Sequence, residues 1–283
     1  MNTAYFNGNF LPKENIHISP DDRGFLFGDG VYEVMKWYGS FFYDPQSHLA
    51  RLKRSLREVR INWSEADSFP LFAGELIKIN KLEGRQALIY LQVTRGAAPR
   101  NHSFPDPEVQ PTAYAFVRET GQPNSEIGSG VKVILKKDIR WTRCDIKSVS
   151  LLANTLGFQE AHERGMKECI FVRDGMITEG ARSNIFLVAD DVLYTYPESE
   201  FILSGVTRKN IIRLAGESGL AVKEIPYPEK DLGSAQEAFI SNTSAEVTPV
   251  TFFDTLQVGT GMPGRVTLQI YKKFHDEINT LKG

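Results

Sequence analysis

The stretch Cys169-Ile-Phe-Val-Arg-Asp-Gly-Met-Ile-Thr-Glu-Gly-Ala-Arg-Ser-Asn-Ile-Phe-Leu-Val-Ala-Asp-Asp-Val-Leu-Tyr194 decides how the second half of the chain folds. It contains four short β-prone runs: Cys169 to Val172, Met176 to Thr178, Ile185 to Val188 and Val192 to Tyr194. Arg173-Asp-Gly175 joins the first two and Ala189-Asp-Asp191 the last two. Asp and Gly tolerate the backbone conformations of a tight turn, so the stretch reads as two successive hairpins. Working outward, Val131 to Leu135 reads as a further strand. Val149, Leu152, Ala153 and Leu156 form a helical stripe that ends before Gly165. On the other side, Thr207 to Ser218 is a predicted helix, Ala238 to Ser241 a strand and Val266 to Ile278 a closing helix.

The first third alternates strands and helices in the same way. Tyr5-Phe6 and Phe10-Leu11 flank Asn7-Gly8-Asn9, a strong short hairpin signal. Val31 to Tyr38 reads as a strand that breaks at Gly39-Ser40 and resumes at Phe41-Phe-Tyr43. Leu49, Leu52, Leu56 and Val59 then mark a helix, Asp67 to Lys81 a second, and Ala87 to Thr94 and Thr112 to Val117 two buried strands. Between those strands runs a long, polar, Pro-containing loop from Arg95 to Pro111, long enough to carry a function. The turn-rich stretch from Glu119 to Gly130 is almost free of apolar residues. It divides the chain into an N-terminal α/β domain (1–119), a linker (120–130) and a C-terminal domain (131–283).

Composition excludes several classes. A chain of 283 residues, 41% hydrophobic and 24% charged, matches ordinary folded proteins. Lys and Arg total 33 against 35 for Asp and Glu, a net charge of −2, so no overall basic field suits a nucleic-acid backbone. The apolar runs fall far short of the ~20 residues that span a bilayer. The N-terminal residues have neither a basic nor an apolar leader region. Two cysteines, Cys144 and Cys169, give no disulfide framework, and the expected compartment is a reducing cytoplasm.

No close pair among the five histidines and no cysteine pair offers a metal site, so none is expected. Gly28-Asp-Gly30 lacks the third glycine and the context of a dinucleotide loop. Two segments suit an anion. Leu203-Ser-Gly-Val-Thr207 delivers Thr207 to a helix start, where backbone N–H groups and the helix dipole favour a phosphate. Ser241-Asn-Thr243-Ser-Ala-Glu246 follows a strand, and Thr243 with Glu246 has capping-box spacing. Each alone also reads as an ordinary helix cap. Lys147, in Asp145-Ile-Lys-Ser-Val, lies among apolar neighbours just before the predicted helix; a lysine so placed is either solvated or able to form a Schiff base. Glu179, at the end of the Met176 strand, is equally ambiguous by itself.

Six segments in fixed order change that reading. Phe27-Gly-Asp-Gly-Val-Tyr-Glu, His48-Leu-Ala-Arg51, Asp145-Ile-Lys147-Ser, Thr178-Glu-Gly-Ala-Arg-Ser-Asn-Ile-Phe, Gly205-Val-Thr-Arg and Asn242-Thr-Ser-Ala-Glu-Val-Thr-Pro together resemble the class IV, fold type IV, pyridoxal-phosphate aminotransferases over nearly the whole chain. The resemblance implies an α/β fold with a smaller N-terminal domain and a larger C-terminal pseudo-barrel. It implies pyridoxal 5′-phosphate as cofactor, with Lys147 forming its Schiff base and Glu179 keeping the pyridine nitrogen protonated. Arg51, Val206, Thr207 and Thr243 would hold the cofactor phosphate.

Substrate class rests on Ala98-Pro-Arg100-Asn-His102-Ser-Phe-Pro. This is similar to the loop by which D-amino acid aminotransferases trap the substrate α-carboxylate, with an Arg and a His of the neighbouring subunit joined by a Tyr that matches Tyr32. A cationic pair and a phenol suit a carboxylate, and a shared site implies a homodimer. The sequence departs from that pattern at Arg182, which brings a second guanidinium to a position usually small and polar and counts as a substrate-site candidate. It also departs at Asn242, which replaces a hydroxyl residue beside Thr243. The expected activity moves the amino group of a D-amino acid such as D-alanine to a 2-oxo acid such as 2-oxoglutarate. An aminodeoxychorismate lyase and, after it, an L-branched-chain aminotransferase are the alternatives.

Overall fold

The computed structural model describes residues 2–121 and 126–282; residues 122–125 of the expected linker lie outside the described residues. The chain divides into two compact units. One comprises Met1–Gly121, Ile146–Leu151 and Lys282, and the other Gln122–Asp145 and Leu152–Leu281.

The first unit is built from β1 (Thr3–Phe6), β2 (Asn9–Pro12), α1 (Arg23–Phe27), β3 (Gly30–Tyr38), α2 (Pro45–Glu58), α3 (Phe69–Ile79), β4 (Gln86–Thr94) and β5 (Thr112–Glu119). Its strands form one antiparallel sheet in the order β2-β1-β5-β4-β3. Asn7 and Gly8 both take positive φ, as the opening hairpin requires. Strand alternation then sorts the side chains. Val31, Met35, Ile89, Leu91 and Val93 pack with Leu52 and Leu56 of α2 and Phe69, Phe72 and Leu76 of α3. Tyr32, Tyr90, Gln92 and Tyr114 occupy the other face, where the Tyr32 and Tyr90 rings stack at 5.6 Å.

Two expectations need correction here, and one element is unannounced. Phe41–Tyr43 forms no strand: only an isolated bridge joins Trp37 to Phe42 before Asp44 caps α2. The helix expected from Asp67 begins instead with a 3-10 turn, Ser64–Ser68, because Pro70 suits only the first turn of α3. No sequence pattern announces the short helix α1. Asp22 caps it through Gly24 N at 2.8 Å, and Gly28, at φ +67°, ends it after five residues, too few for a periodic signal.

The second unit contains β6 (Val131–Lys137), α4 (Leu152–Glu163), β7 (Glu168–Arg173), β8 (Met176–Gly180), β9 (Asn184–Ala189), β10 (Val192–Thr195), α5 (Val206–Glu217), β11 (Ala221–Glu224), β12 (Tyr227–Pro228), β13 (Glu237–Asn242), β14 (Glu246–Phe253), β15 (Leu256–Gln257) and most of α6 (Arg265–Lys282). The hairpins read from the sequence form as expected, with positive φ at Asp174-Gly175 and at Asp190-Asp191. The sheet runs β9-β13-β14-β6-β7-β8, and a pairing of β8 with β9 at Glu179 and Asn184 closes it into a barrel-like ring. Both faces of β9 are buried. Ile185 and Leu187 join the cluster of Val133, Ile170 and Ile240, while Phe186 and Val188 pack with Ile211 of α5 and Ile270 of α6.

Two local readings fail in this unit. Leu152 and Leu156, the expected inner stripe of α4, are 74% and 55% exposed. The helix meets β7 through its small residues: a Cβ on Gly157 would stand 3.0 Å from Cys169 Sγ and Phe171 Cζ, and Ala161 is fully buried. Close approach excludes leucine from that face. Thr243 and Glu246 form no capping box; they belong to the hairpin between β13 and β14. Among the described residues no helix is long and apolar enough to cross a membrane.

Candidate active site

Lys147 is placed by strand addition rather than by a helix. Residues 146–149 run along the edge of β3: Tyr32 N donates to Lys147 O at 2.9 Å, Val149 N donates to Gly30 O at 3.0 Å, and Val31 bridges Ser148. Ile146 is anchored in the core of the first unit, and Lys147 N donates to Ser55 Oγ at 3.3 Å. The helix expected to follow Lys147 at once begins only at Leu152. Alternation on β3 turns Tyr32 away from the core, and Lys147 Nζ stands 4.3 Å from its ring centre.

The neighbouring residue on β3 points the other way. Glu33 is fully buried and accepts Arg51 Nε at 3.0 Å and Nη2 at 2.6 Å, so two of the five guanidinium N–H groups fix the Arg51 plane. His48 Nδ1 lies 3.0 Å from the same carboxylate. Burial works against the Glu33 charge, but Arg51 and His48 hold its carboxyl well below the usual range. Burial pushes the His48 imidazole down, which keeps it neutral. The exposed loop residues Arg100 and His102 share one platform: the Arg100 guanidinium lies 5.0 Å from the Phe27 ring centre and the His102 ring 5.4 Å from it.

In the second unit Glu179 sits where the ring of strands closes. Its Oε1 accepts Arg140 Nη1 at 2.6 Å, while Oε2 accepts Asn184 Nδ2 at 3.1 Å and Leu203 N at 3.0 Å. Arg140 is held in turn by Asp138 and by the Phe201 carbonyl. Burial raises the Glu179 carboxyl above its ordinary value against the pull of Arg140 and the Leu203 N–H. A carboxylate of raised proton affinity is the stronger partner for a ring N–H.

The phosphate candidates of this unit lie on two segments, the start of α5 and the hairpin between β13 and β14. Gly205 caps α5 with no side-chain bond to the first turn, and Val206 and Thr207 are buried there. A Cβ at position 205 would collide with Asn184 Oδ1, so only glycine brings this helix start so near Asn184. Asn242 Oδ1 accepts Ser244 N at 3.0 Å and Ala245 N at 2.8 Å; its carboxamide orders the turn that carries Thr243. Arg182 stacks 4.3 Å from the Phe158 ring centre, with Nε 3.7 Å from Glu168 Oε2.

The donor set suits a pyridine phosphate. The buried Ser241 hydroxyl has no hydrogen-bond partner among the described residues, and it pairs across the sheet with Asn184, which holds Glu179. A buried orphan hydroxyl opposite Asn184, beside an uncapped helix start, fits a polar ring with an anionic tail. Sequence reasoning missed Arg140, Asn184 and Ser241. Asn184 lies within one of the six ordered segments and Ser241 opens the second anion segment, but nothing local distinguishes Arg140.

Comparison with known proteins shows the family. A family model described as amino-transferase class IV matches residues 30–253. D-alanine aminotransferase of Staphylococcus epidermidis is 39% identical over 282 residues, 99% of each chain. That of Bacillus licheniformis is 40% identical over 278 residues, 96% of each. Among solved structures, the branched-chain amino acid aminotransferase of Escherichia coli superposes with a TM-score of 0.90 at 27% identity, covering 97% of this chain and 94% of that one. Another branched-chain amino acid aminotransferase, solved with pyridoxamine 5′-phosphate, gives 0.88 at 25% identity, with 97% and 93% covered. The chain belongs to the class IV aminotransferase family.

Proposed function

We propose that the chain is a cytoplasmic, homodimeric, pyridoxal-phosphate-dependent aminotransferase that moves the amino group of a D-amino acid such as D-alanine to a 2-oxo acid such as 2-oxoglutarate. The observation that carries this reading is the identity of 37–40%, over nearly the full chain, to proteins named D-alanine aminotransferase. The Arg100 and His102 pair supports it, because a guanidinium and an imidazole two residues apart on one ring suit an α-carboxylate.

When bound, the cofactor supplies an aldehyde that takes up amines and a protonated ring that draws electrons from the substrate Cα. Lys147 Nζ would be the amine that this aldehyde takes up and the base that carries the Cα proton. Glu179, held by Arg140, Asn184 and Leu203 N, keeps the ring nitrogen protonated. Val206, Thr207, Thr243 and Arg51 hold the phosphate. Tyr32 orients the α-carboxylate with Arg100 and His102 supplied by the partner subunit, which makes the dimer the active unit. Arg182 remains a candidate at the substrate, drawn there or kept back by Glu168.

Glu179→Gln is expected to slow removal of the Cα proton by about 10²-fold, within the usual range for a lost acid–base partner. Single-turnover kinetics with D-alanine check this, and an unaltered rate removes the role from Glu179.

The solved branched-chain enzymes among the structural neighbours favour a second reading, transfer from L-branched-chain amino acids. The visible absorbance of the cofactor-loaded protein separates the two. Conversion to the pyridoxamine form by D-alanine, but not by L-leucine or L-glutamate, is the expected result. Conversion by L-leucine alone overturns the D-amino acid reading, and indifference to all three directs the test to the lyase reaction.

A further inference from the structure

We infer that Asp29, Arg23 and Arg95 are positioning residues that set the Arg100 and His102 loop for the substrate carboxylate, an inference that rests on the function proposed above. The loop supplies little hold of its own. Arg100, Asn101, His102 and Ser103 are all exposed and contribute nothing to the core. Their position comes from beneath.

Asp29 follows the glycine that ends α1, and its carboxylate gathers two guanidinium groups. Oδ2 accepts Arg23 Nε at 2.9 Å and Arg95 Nε at 2.7 Å, and Oδ1 accepts Arg95 Nη2 at 2.9 Å. These bonds hold Asp29 below the ordinary carboxylate range in spite of its burial. Each arginine then spends its other donors on main-chain carbonyls. Arg23 Nη1 reaches Asn101 O at 2.5 Å and Ser103 O at 3.3 Å, the carbonyls on either side of His102. Arg95 reaches Val59 O at 2.7 Å and Arg60 O at 2.8 Å, and its guanidinium lies 3.5 Å from the Phe104 ring centre.

The same elements place the aromatic platform. Arg23 lies 4.7 Å from the ring centre of Phe27, the ring that Arg100 and His102 share. The stem of the loop is stitched to the same segment. Arg23 N donates to Gly96 O at 2.9 Å, Ala98 N to Asp21 O at 3.2 Å, and Thr94 Oγ1 to Asp22 Oδ2 at 2.9 Å. A planar fork spreads its donors, so that Nε meets the carboxylate while Nη1 meets two carbonyls; an ammonium gathers its three donors at one point and does not span both. The clasp therefore requires arginine at position 23, and its product is a fixed placement of the Arg100 and His102 side chains.

The test compares Arg23→Gln, Arg23→Lys and Arg100→Ala, alone and combined, in the cofactor-loaded enzyme. Arg23→Gln should raise the KM for D-alanine about tenfold, the scale of one charge-assisted hydrogen bond, with kcat within about twofold. Arg23→Lys should fail to restore KM, and amide hydrogen exchange at residues 100–104 should rise in both. Because Arg23 acts through Arg100 as well as through His102, the double variant Arg23→Gln with Arg100→Ala should lose less than the sum of the two single effects. Full additivity, or faster exchange with an unchanged KM, overturns the inference. If Arg23→Gln does not fold, Phe104→Leu removes the ring that Arg95, Arg60 and Arg23 share and should still raise KM about threefold, on the scale of a cation–π contact; an unchanged KM overturns the clasp. An Arg100→Ala enzyme with unaltered KM overturns the carboxylate reading and the clasp together. A raised KM there beside an unaffected Arg23→Gln overturns the clasp alone.

Discussion

Lys147→Ala is expected to abolish multiple turnover with D-alanine and a 2-oxo acid, a loss of at least about 10³-fold for removal of both the covalent partner and the base. The fold should survive, because the main chain of this residue, not its side chain, ties the segment to the first unit. Tyr32 N to Lys147 O and Lys147 N to Ser55 Oγ are backbone donors or acceptors that alanine keeps. Ile146 and Ser148, both buried, hold the segment on either side. The side chain gives up only its position over the Tyr32 ring, worth about 0.5–1 kcal/mol at such a site. Steady-state assay together with a thermal melt checks both halves. Retained multiple turnover removes Lys147 from the chemistry, and a collapsed melt shows that the ammonium was structural.

Much of this arrangement could be read from local residue patterns, and the part that could not has a common cause. The hairpins at Asn7-Gly8, Asp174-Gly175 and Asp190-Asp191 were legible because two adjacent residues carry the whole turn requirement. Motif order singles out Lys147, Glu179 and Gly205-Val206-Thr207, and α5 starts at the last of these segments. The face of α4 was not. Its contact with β7 is made by Gly157 and Ala161, and an apolar stripe cannot announce a helix packed through small residues. The partners of the key side chains also escaped. Arg140 and Glu179 lie 39 residues apart, Asp29 and Arg95 66 apart, so no sequence window contains either pair.

Fold and substrate also separate here. The Escherichia coli branched-chain enzyme shares the backbone at a TM-score of 0.90, yet the D-alanine enzymes share more of the sequence, 39% against 27%. A shared backbone therefore does not by itself name the substrate.

Glu33→Gln carries the largest expected effect on stability. The Glu33 carboxylate, fully buried, accepts Arg51 twice, has His48 Nδ1 at 3.0 Å and takes its own neighbour Val34 N at 2.9 Å. Glutamine keeps the shape but leaves the Arg51 charge buried without its counter-ion and turns an amide donor toward a guanidinium donor. Breaking a buried pair from one side costs about 3–5 kcal/mol, far more than the ~1 kcal/mol of an exposed one. Urea denaturation at neutral pH should show that loss, and a loss below about 1 kcal/mol would mean that the pair is not what holds α2 to β3. The pH dependence gives an independent sign. The folded carboxyl titrates below the unfolded value of about 4.3, so its contribution is full above that pH and fades as the pH falls toward the folded value. Glutamine has no such titration. The stability gap between the wild-type protein and Glu33→Gln should therefore hold steady from neutrality down to about pH 5 and narrow below it. A gap that widens on acidification would show that Glu33 is protonated in the folded protein and that Arg51 draws its orientation from elsewhere.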